Sequence, residues 1–271
     1  MNVVRSIMPG LVVVLAATVV PAPVDAQRIF HSTQSANLQT TETLRRGNLL
    51  FEISHRFLPT FKQGGEHLWG LDGPVWNRLG LSYAATGNRM LIGIQRTNMD
   101  DNLELNLKAV LLEMGPDPIS IDVGVMGGIA WNTDPISDLV DDNATQMYAQ
   151  LLVDALLGER LAVGFVPTYL RNPSILDAEP DNAFVIGVHA QAYLMSSMSL
   201  LGEWIFSEER PGLEHDSGTF GIEIETRGHF FKILVTNQTR LNPTQFLGGT
   251  PYPFELDQLR LGFNLTRVLP F

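Results

Sequence analysis

The sequence contains no cysteine, which excludes a disulfide framework and thiolate metal sites. Stability must therefore come from burial and hydrogen bonding. Lys and Arg number 18 against 29 Asp and Glu, for a formal net charge of −11. A chain so short of basic residues has no electrostatic footprint for nucleic acid. Charged residues make up 17% of the whole, below the roughly 25% usual in soluble domains. After the N-terminus no run approaches the 18 or so unbroken apolar residues that a spanning helix needs. If this chain crosses a membrane, it must do so as a closed barrel, where every backbone polar group is paired.

The N-terminus carries the one concentrated apolar run. Arg5 gives a positive start, Leu11 to Val20 an apolar stretch, and Val24-Asp25-Ala26 a small-residue end. That pattern reads as a cleavable signal peptide over 1–26, so the mature chain is expected to begin at Gln27 outside the cytoplasm. Residues 27–45, with the polar stretch "HSTQSANLQTTET", read as a flexible periplasmic lead-in.

From there to the C-terminus the chain alternates. It ends "LRLGFNLTRVLPF", with Leu259, Leu261, Phe263, Leu265, Leu269 and Phe271 on one strand face and Arg260, Gly262, Asn264 and Thr266 on the other. The same rhythm predicts twelve strands: 46–57, 76–85, 88–97, 102–113, 118–131, 144–155, 160–170, 183–194, 198–207, 218–226, 229–237 and 258–269. Their links alternate in length. "TG", "GPDP", "LGE", "SSM" and "RG" are tight turns, whereas "LPTFKQGGEHLWGLDGPV" or "TRLNPTQFLGGTPYPFELD" are long. Short turns at one end and long loops at the other are the signature of an outer-membrane barrel; a soluble sandwich has no reason to sort its loops this way.

One face carries Ile92 and Ile94, Leu105 and Leu107, Ile222 and Ile224, and Ile233; the other carries Glu52, Arg56, Arg78, Glu104, Lys108, Asp154, His189 and Glu203. Alternation alone does not say which looks outward. Small residues mixed with paired charges suit a narrow lumen, and low overall charge suits strands half turned to hydrocarbon. The expected fold is therefore an all-β, antiparallel, up-and-down transmembrane barrel over 46–271, with about 12 strands. Its expected place is the outer membrane of a Gram-negative-type bacterium.

The stretches "LLFEISHRF", "LWGLDGPVWNRLGLSYAATGNRMLIGIQRT", "LELNLKAVLLE" and "GGIAWNT" resemble an uncharacterised family of bacterial outer-membrane barrels, domain-of-unknown-function family 5777. The resemblance runs from about Asn48 to the C-terminus. It implies the fold and the location, and brings no catalytic or binding residues with it. Phe271 also resembles the terminal signal read by barrel-insertion machinery, the expected partner alongside outer-membrane lipids.

Candidate chemistry is sparse. Glu203, Glu223, Glu225, Lys232 and Arg260 project to one face of neighbouring strands. They form either a patch that sets the charge selectivity of a pore or an ion-pair network that fills and rigidifies the lumen. Ser54 and His55 are adjacent on a strand and so face opposite sides, which keeps them from acting as nucleophile and base. No catalytic residue is assigned, and no enzyme activity is expected. Scattered histidines predict no metal site, and no cofactor is expected. Trp69, Asp72 and Trp76 in the first long loop suggest either a constriction at the mouth or an interfacial anchor. The leading expectation is a monomeric, narrow passive channel for small polar solutes or ions. The alternative is an impermeable structural or partner-binding barrel, and an embedded lipid hydrolase stands behind both.

Overall fold

The computed structural model describes residues 28–115, 119–133, 145–175 and 181–270. The signal-peptide reading, the expected start at Gln27 and Phe271 fall outside them. Twelve strands form: β1 (Leu49–Phe57), β2 (Val75–Thr86), β3 (Met90–Thr97), β4 (Asn102–Met114), β5 (Ile119–Asn132), β6 (Thr145–Leu157), β7 (Leu161–Arg171), β8 (Asn182–Met195), β9 (Met198–Phe206), β10 (Ser217–Thr226), β11 (His229–Thr236) and β12 (Arg260–Leu269). Each pairs antiparallel with its sequence neighbours, and β1 pairs with β12, so the sheet closes into a barrel without an edge. All twelve expected strands are present.

Where the boundaries differ from expectation, a turn explains the difference. β1 begins at Leu49 because Gly47 adopts φ 86° and the Asn48 N–H donates to the Arg45 carbonyl, bending the chain. β12 begins at Arg260 because the Gln258 N–H is taken by the Glu255 carbonyl. Register shifts at Ala84/Thr86, Val110/Leu112 and Tyr193/Met195 all lie beside short turns. Mid-strand alternation is therefore undisturbed.

The two faces divide as the composition predicted. Ile92, Ile94, Leu105, Leu107, Phe220, Ile222 and Phe231 look outward and are exposed, while Glu52, Arg56, Arg78, Glu104, Lys108, Asp154, Glu203, Glu223 and Lys232 are buried inside. Adjacent residues on β11 show the contrast: Ile233 is 60% exposed and Leu234 0%. A continuous apolar band on the outside, with ionised groups inside, is the arrangement that hydrocarbon rewards.

The inner face is less polar than expected. On β6 to β9, Leu152, Val166, Leu170, Val185 and Ile205 also point inward and are fully buried. At these positions the strands are apolar on both faces, so alternation of hydrophobicity could not reveal what the inner side chains meet there.

Two non-strand segments meet them. Residues 29–41 run inside the barrel and are buried almost throughout, as are residues 237–250 from the β11–β12 connection, which include a short helix α1 (Pro243–Phe246). The expectation of a flexible periplasmic lead-in over 27–45 is corrected accordingly. A twelve-stranded lumen is wider than its own side chains fill, and this segment has the hydrogen-bonding groups and the leucine to fill the remainder.

In lipid vesicles, Ile233→Arg is expected to cost about 2–4 kcal/mol of folding stability, read from the shift in urea unfolding. An unchanged midpoint would mean that this face meets water.

Candidate functional site: the filled lumen

The inner segment enters at the short-turn end and doubles back on itself. Ser35 N–H donates to the Leu38 carbonyl (2.7 Å) and Thr40 N–H to the Thr33 carbonyl (3.1 Å), with Gln34 bridging Gln39. This is a small β-hairpin with its tip at Ser35–Leu38. Its core side is short of internal partners, so the barrel wall supplies them.

Carboxylates of the wall accept the hairpin's N–H groups, and ammonium groups donate to its carbonyls. Glu203 accepts from the backbone N–H of Asn37 (2.9 Å) and of Leu38 (3.0 Å) and from Asn37 Nδ2 (2.5 Å). Asp154 accepts from the Thr41 N–H (2.6 Å) and Oγ1 (2.9 Å). Lys108 Nζ donates to the carbonyls of Thr33 and Thr40, each at 2.9 Å. Lys232 Nζ donates to the carbonyls of Gln34 (2.5 Å) and Ser35 (2.8 Å) and lies 3.1 Å from Glu223. Arg56 Nη2 donates to Asn37 Oδ1 (2.7 Å), and Arg78 pairs with Glu52. Hydrogen bonds with one ionised partner are about twice as strong as neutral ones, so the hairpin is held where the wall is charged.

Apolar anchors supplement them. Leu38 packs into the cluster of Leu152, Val166, Leu170, Val185 and Ile205, together with Phe246 and Leu247 from the upper segment. Gly187 leaves the space that Leu38 occupies: a Cβ there would stand 2.7 Å from both Leu38 methyls. Phe30 stacks on His189 with centroids 4.7 Å apart, and the Tyr193 hydroxyl donates to the Ile29 carbonyl. His189 Nε2 lies 3.4 Å from Asp154 Oδ1, within ion-pair range though not aligned as a hydrogen bond.

The long-loop end is closed by different chemistry. Residues 237–250 bond mainly through amides and hydroxyls: Asn242 Nδ2 donates to Asn102 Oδ1 (2.5 Å), Thr97 Oγ1 to Gln245 Oε1 (3.1 Å), and Gln238 Nε2 to the Phe246 (3.2 Å) and Gly249 (3.1 Å) carbonyls. Arg78 Nη1 reaches the Leu241 carbonyl (2.6 Å). Two cavities between the inner segment and the wall measure about 20 Å³ each, room for about one water apiece. A wider recess of about 320 Å³ opens at the short-turn end beside Arg28, His31 and Tyr193.

The expected charge cluster is only partly a cluster. Glu223 faces Lys232 directly across β10–β11, while Glu203 sits opposite Thr219 and Arg260 opposite Thr236, farther toward the long-loop end. Arg260 lies over the Tyr252 ring (3.5 Å), and Glu225 is 3.8 Å from Arg28 at the other rim. Ser54 points inward to Glu52 (2.5 Å), and His55 points outward against Phe263. In the first long loop Trp69 is 54% exposed and Asp72 is exposed beside His67, while Trp76 lies not in the loop but on β2, at an inward register position opposite Arg56. The mouth is filled by residues 237–250 rather than by this loop.

What sequence reasoning missed is the hairpin itself. Its trace was present: "IFHSTQSANLQTT" has no Asp, Glu, Lys or Arg, whereas disordered segments usually combine low hydrophobicity with high charge. Ile29, Phe30 and Leu38 then look like anchors.

Together the closed antiparallel sheet, the apolar exterior and the ionised interior define a membrane β-barrel. The chain matches the family described as membrane bound beta barrel domain (DUF5777) over residues 30–269 and belongs to it; the match takes in the hairpin as well as the strands. Comparison with curated proteins returns no match. Among solved structures, the NanC porin is 11% identical, with 82% of this chain and 99% of that one covered at a TM-score of 0.48. Outer membrane phospholipase A from Escherichia coli is 12% identical, with 85% and 92% covered at 0.39. The Salmonella typhi outer membrane phospholipase dimer with bound calcium is 14% identical, with 83% and 90% covered at 0.38. At this level of likeness neither pore activity nor lipid hydrolysis transfers to the chain.

The buried groups lead to two expected outcomes. Lys232→Met strands the Glu223 carboxylate and is expected to cost about 3–5 kcal/mol in denaturant unfolding, whereas Glu223→Gln with Lys232→Met costs less. Burial, opposed by the N–H groups of Ile29 and Phe30 and by Arg28, pushes the Glu42 carboxyl up to about 7. A carboxyl raised on folding stabilises the folded state below its ordinary range, and that contribution is lost as pH rises through about 7. The Tm of the wild type is therefore expected to fall relative to Glu42→Gln as pH rises from 4.5 through about 7, and parallel Tm curves across that range would refute the assignment.

Proposed function

We propose that the protein is an outer-membrane barrel that is shut at rest, passing small polar solutes or ions only when its inner hairpin is displaced. The short-turn end, where the hairpin enters, faces the periplasm in this reading. Outer-membrane lipids surround a single copy, delivered by the insertion machinery.

One observation supports the closed state above the others: inward-facing Leu152, Val166, Leu170, Val185 and Ile205 pack on Leu38, Phe246 and Leu247. A water-filled channel gives no reason for leucine, valine and isoleucine on its inner wall, because each buried aliphatic side chain gains about 1.5–3 kcal/mol from leaving water. A standing pore, the leading expectation from the sequence, is thus less favoured than a plugged one. Passage depends on the other half of the lumen. There the hairpin is held by hydroxyls, amides and charges that water can replace, so displacement exposes a hydrophilic wall.

Intact protein in a planar bilayer is expected to hold a closed baseline with rare, brief steps. Leu38→Asp places a charge in the apolar cluster without touching a strand, and is expected to lengthen the open time by roughly 10-fold or more, the effect of about 1.4 kcal/mol. Steady conductance from the wild type would overturn the closed state. Silence from both proteins would overturn the passage reading and leave the impermeable barrel.

A further inference from the structure

We propose that the inner wall of the barrel is a polypeptide-binding site, and that the segment from Ile29 to Arg45 is its ligand rather than part of the barrel's own structure. The class of ligand is a hairpin whose stretch from Ser32 to Thr41 carries only uncharged side chains, mostly hydroxyls and amides, with one leucine at its tip. This holds whether or not solutes ever pass, since it concerns what the wall recognises and not what it conducts.

The wall contacts sort by backbone chemistry. Glu203 and Asp154 accept main-chain N–H groups at Asn37, Leu38 and Thr41, and Lys108 and Lys232 donate to main-chain carbonyls at Thr33, Thr40, Gln34 and Ser35. Asn264 Nδ2 adds the Ala36 carbonyl (2.7 Å). Capping N–H with carboxylates and C=O with ammonium groups is how a surface reads a peptide backbone. Charges placed merely to neutralise one another would pair among themselves, yet Lys108, Asp154 and Glu203 all spend hydrogen bonds on the hairpin.

Shape agrees with charge. The Gly187 position admits the Leu38 side chain, and the hairpin arrives with its own cross-bonds between Ser35 and Leu38 and between Thr33 and Thr40. A ligand ordered before docking loses less conformational entropy on binding. The barrel also closes without it, through the β1–β12 pairing, and no residue of the hairpin belongs to a strand ladder of the wall. Covalent attachment to β1 passes through a single bend at Arg45–Arg46, both exposed.

That bend allows a test on the intact chain. A sequence-specific protease site inserted after Arg46 is cut in the folded, detergent-solubilised protein. The N-terminal fragment is expected to co-elute with the barrel and to exchange one-for-one with a labelled synthetic peptide of residues 28–46. A peptide of the same composition in permuted order does not enter. In the cut protein, Glu203→Gln is expected to speed fragment release by about 10- to 100-fold, the effect of weakening charge-assisted hydrogen bonds. Loss of the fragment at the first column without rebinding, while the barrel keeps its compact heat-modifiable migration, would overturn the proposal. So would unfolding of the barrel upon cutting, which would make the segment part of the core, or equal uptake of the permuted peptide.

Discussion

Ionised side chains that point into a narrow barrel must be neutralised inside it, because a charge left alone in a water-poor interior costs several kcal/mol. Much of the lumen's architecture answers to that constraint. Glu223 meets Lys232, and Glu52 meets Arg78, but Glu203, Lys108 and Asp154 complete their shells only with the hairpin's backbone. The outer surface obeys the complementary rule. Its isoleucines, leucines and phenylalanines are tolerable only against hydrocarbon, so the sheet has to close and every strand has to find two neighbours.

The two ends of the lumen are stopped by segments of different origin and different chemistry. The hairpin at the short-turn end precedes β1 and is held chiefly by charge-assisted bonds; the β11–β12 connection is part of the barrel circuit and is held chiefly by neutral amides. Among the described residues the hairpin joins the wall only ahead of β1, whereas the β11–β12 connection joins strands at both of its ends. That arrangement makes the hairpin the moving part in the proposed reading. It also explains why the apolar cluster around Leu38 matters beyond its size: it is where the two segments and the wall of β6 to β9 touch.

Strand positions were legible because period-two alternation is a local property, and Ile92, Ile94, Leu105 and Leu107 betray their face within a few residues. The Glu223–Lys232 pair was legible for the same reason, since adjacent strands joined by the Arg227–Gly228 turn fix their register. Glu203 and Arg260 were placed in the same group on strand order alone. Their height along the barrel depends on register accumulated over several strands, which separates them from that pair. Leu152, Val166 and Ile205 were illegible, since a strand apolar on both sides does not say what its inner side chains touch.

The amino-acid order by itself determined the number of strands, their antiparallel succession and which side chains share a face, because each depends on neighbours a few residues apart. Tertiary structure alone decided that the lumen is filled, and by what. Whether "HSTQSANLQT" lies in water or inside the barrel turns on partners more than a hundred residues away, such as Asp154, Glu203 and Lys232, and no local pattern records a bond of that span.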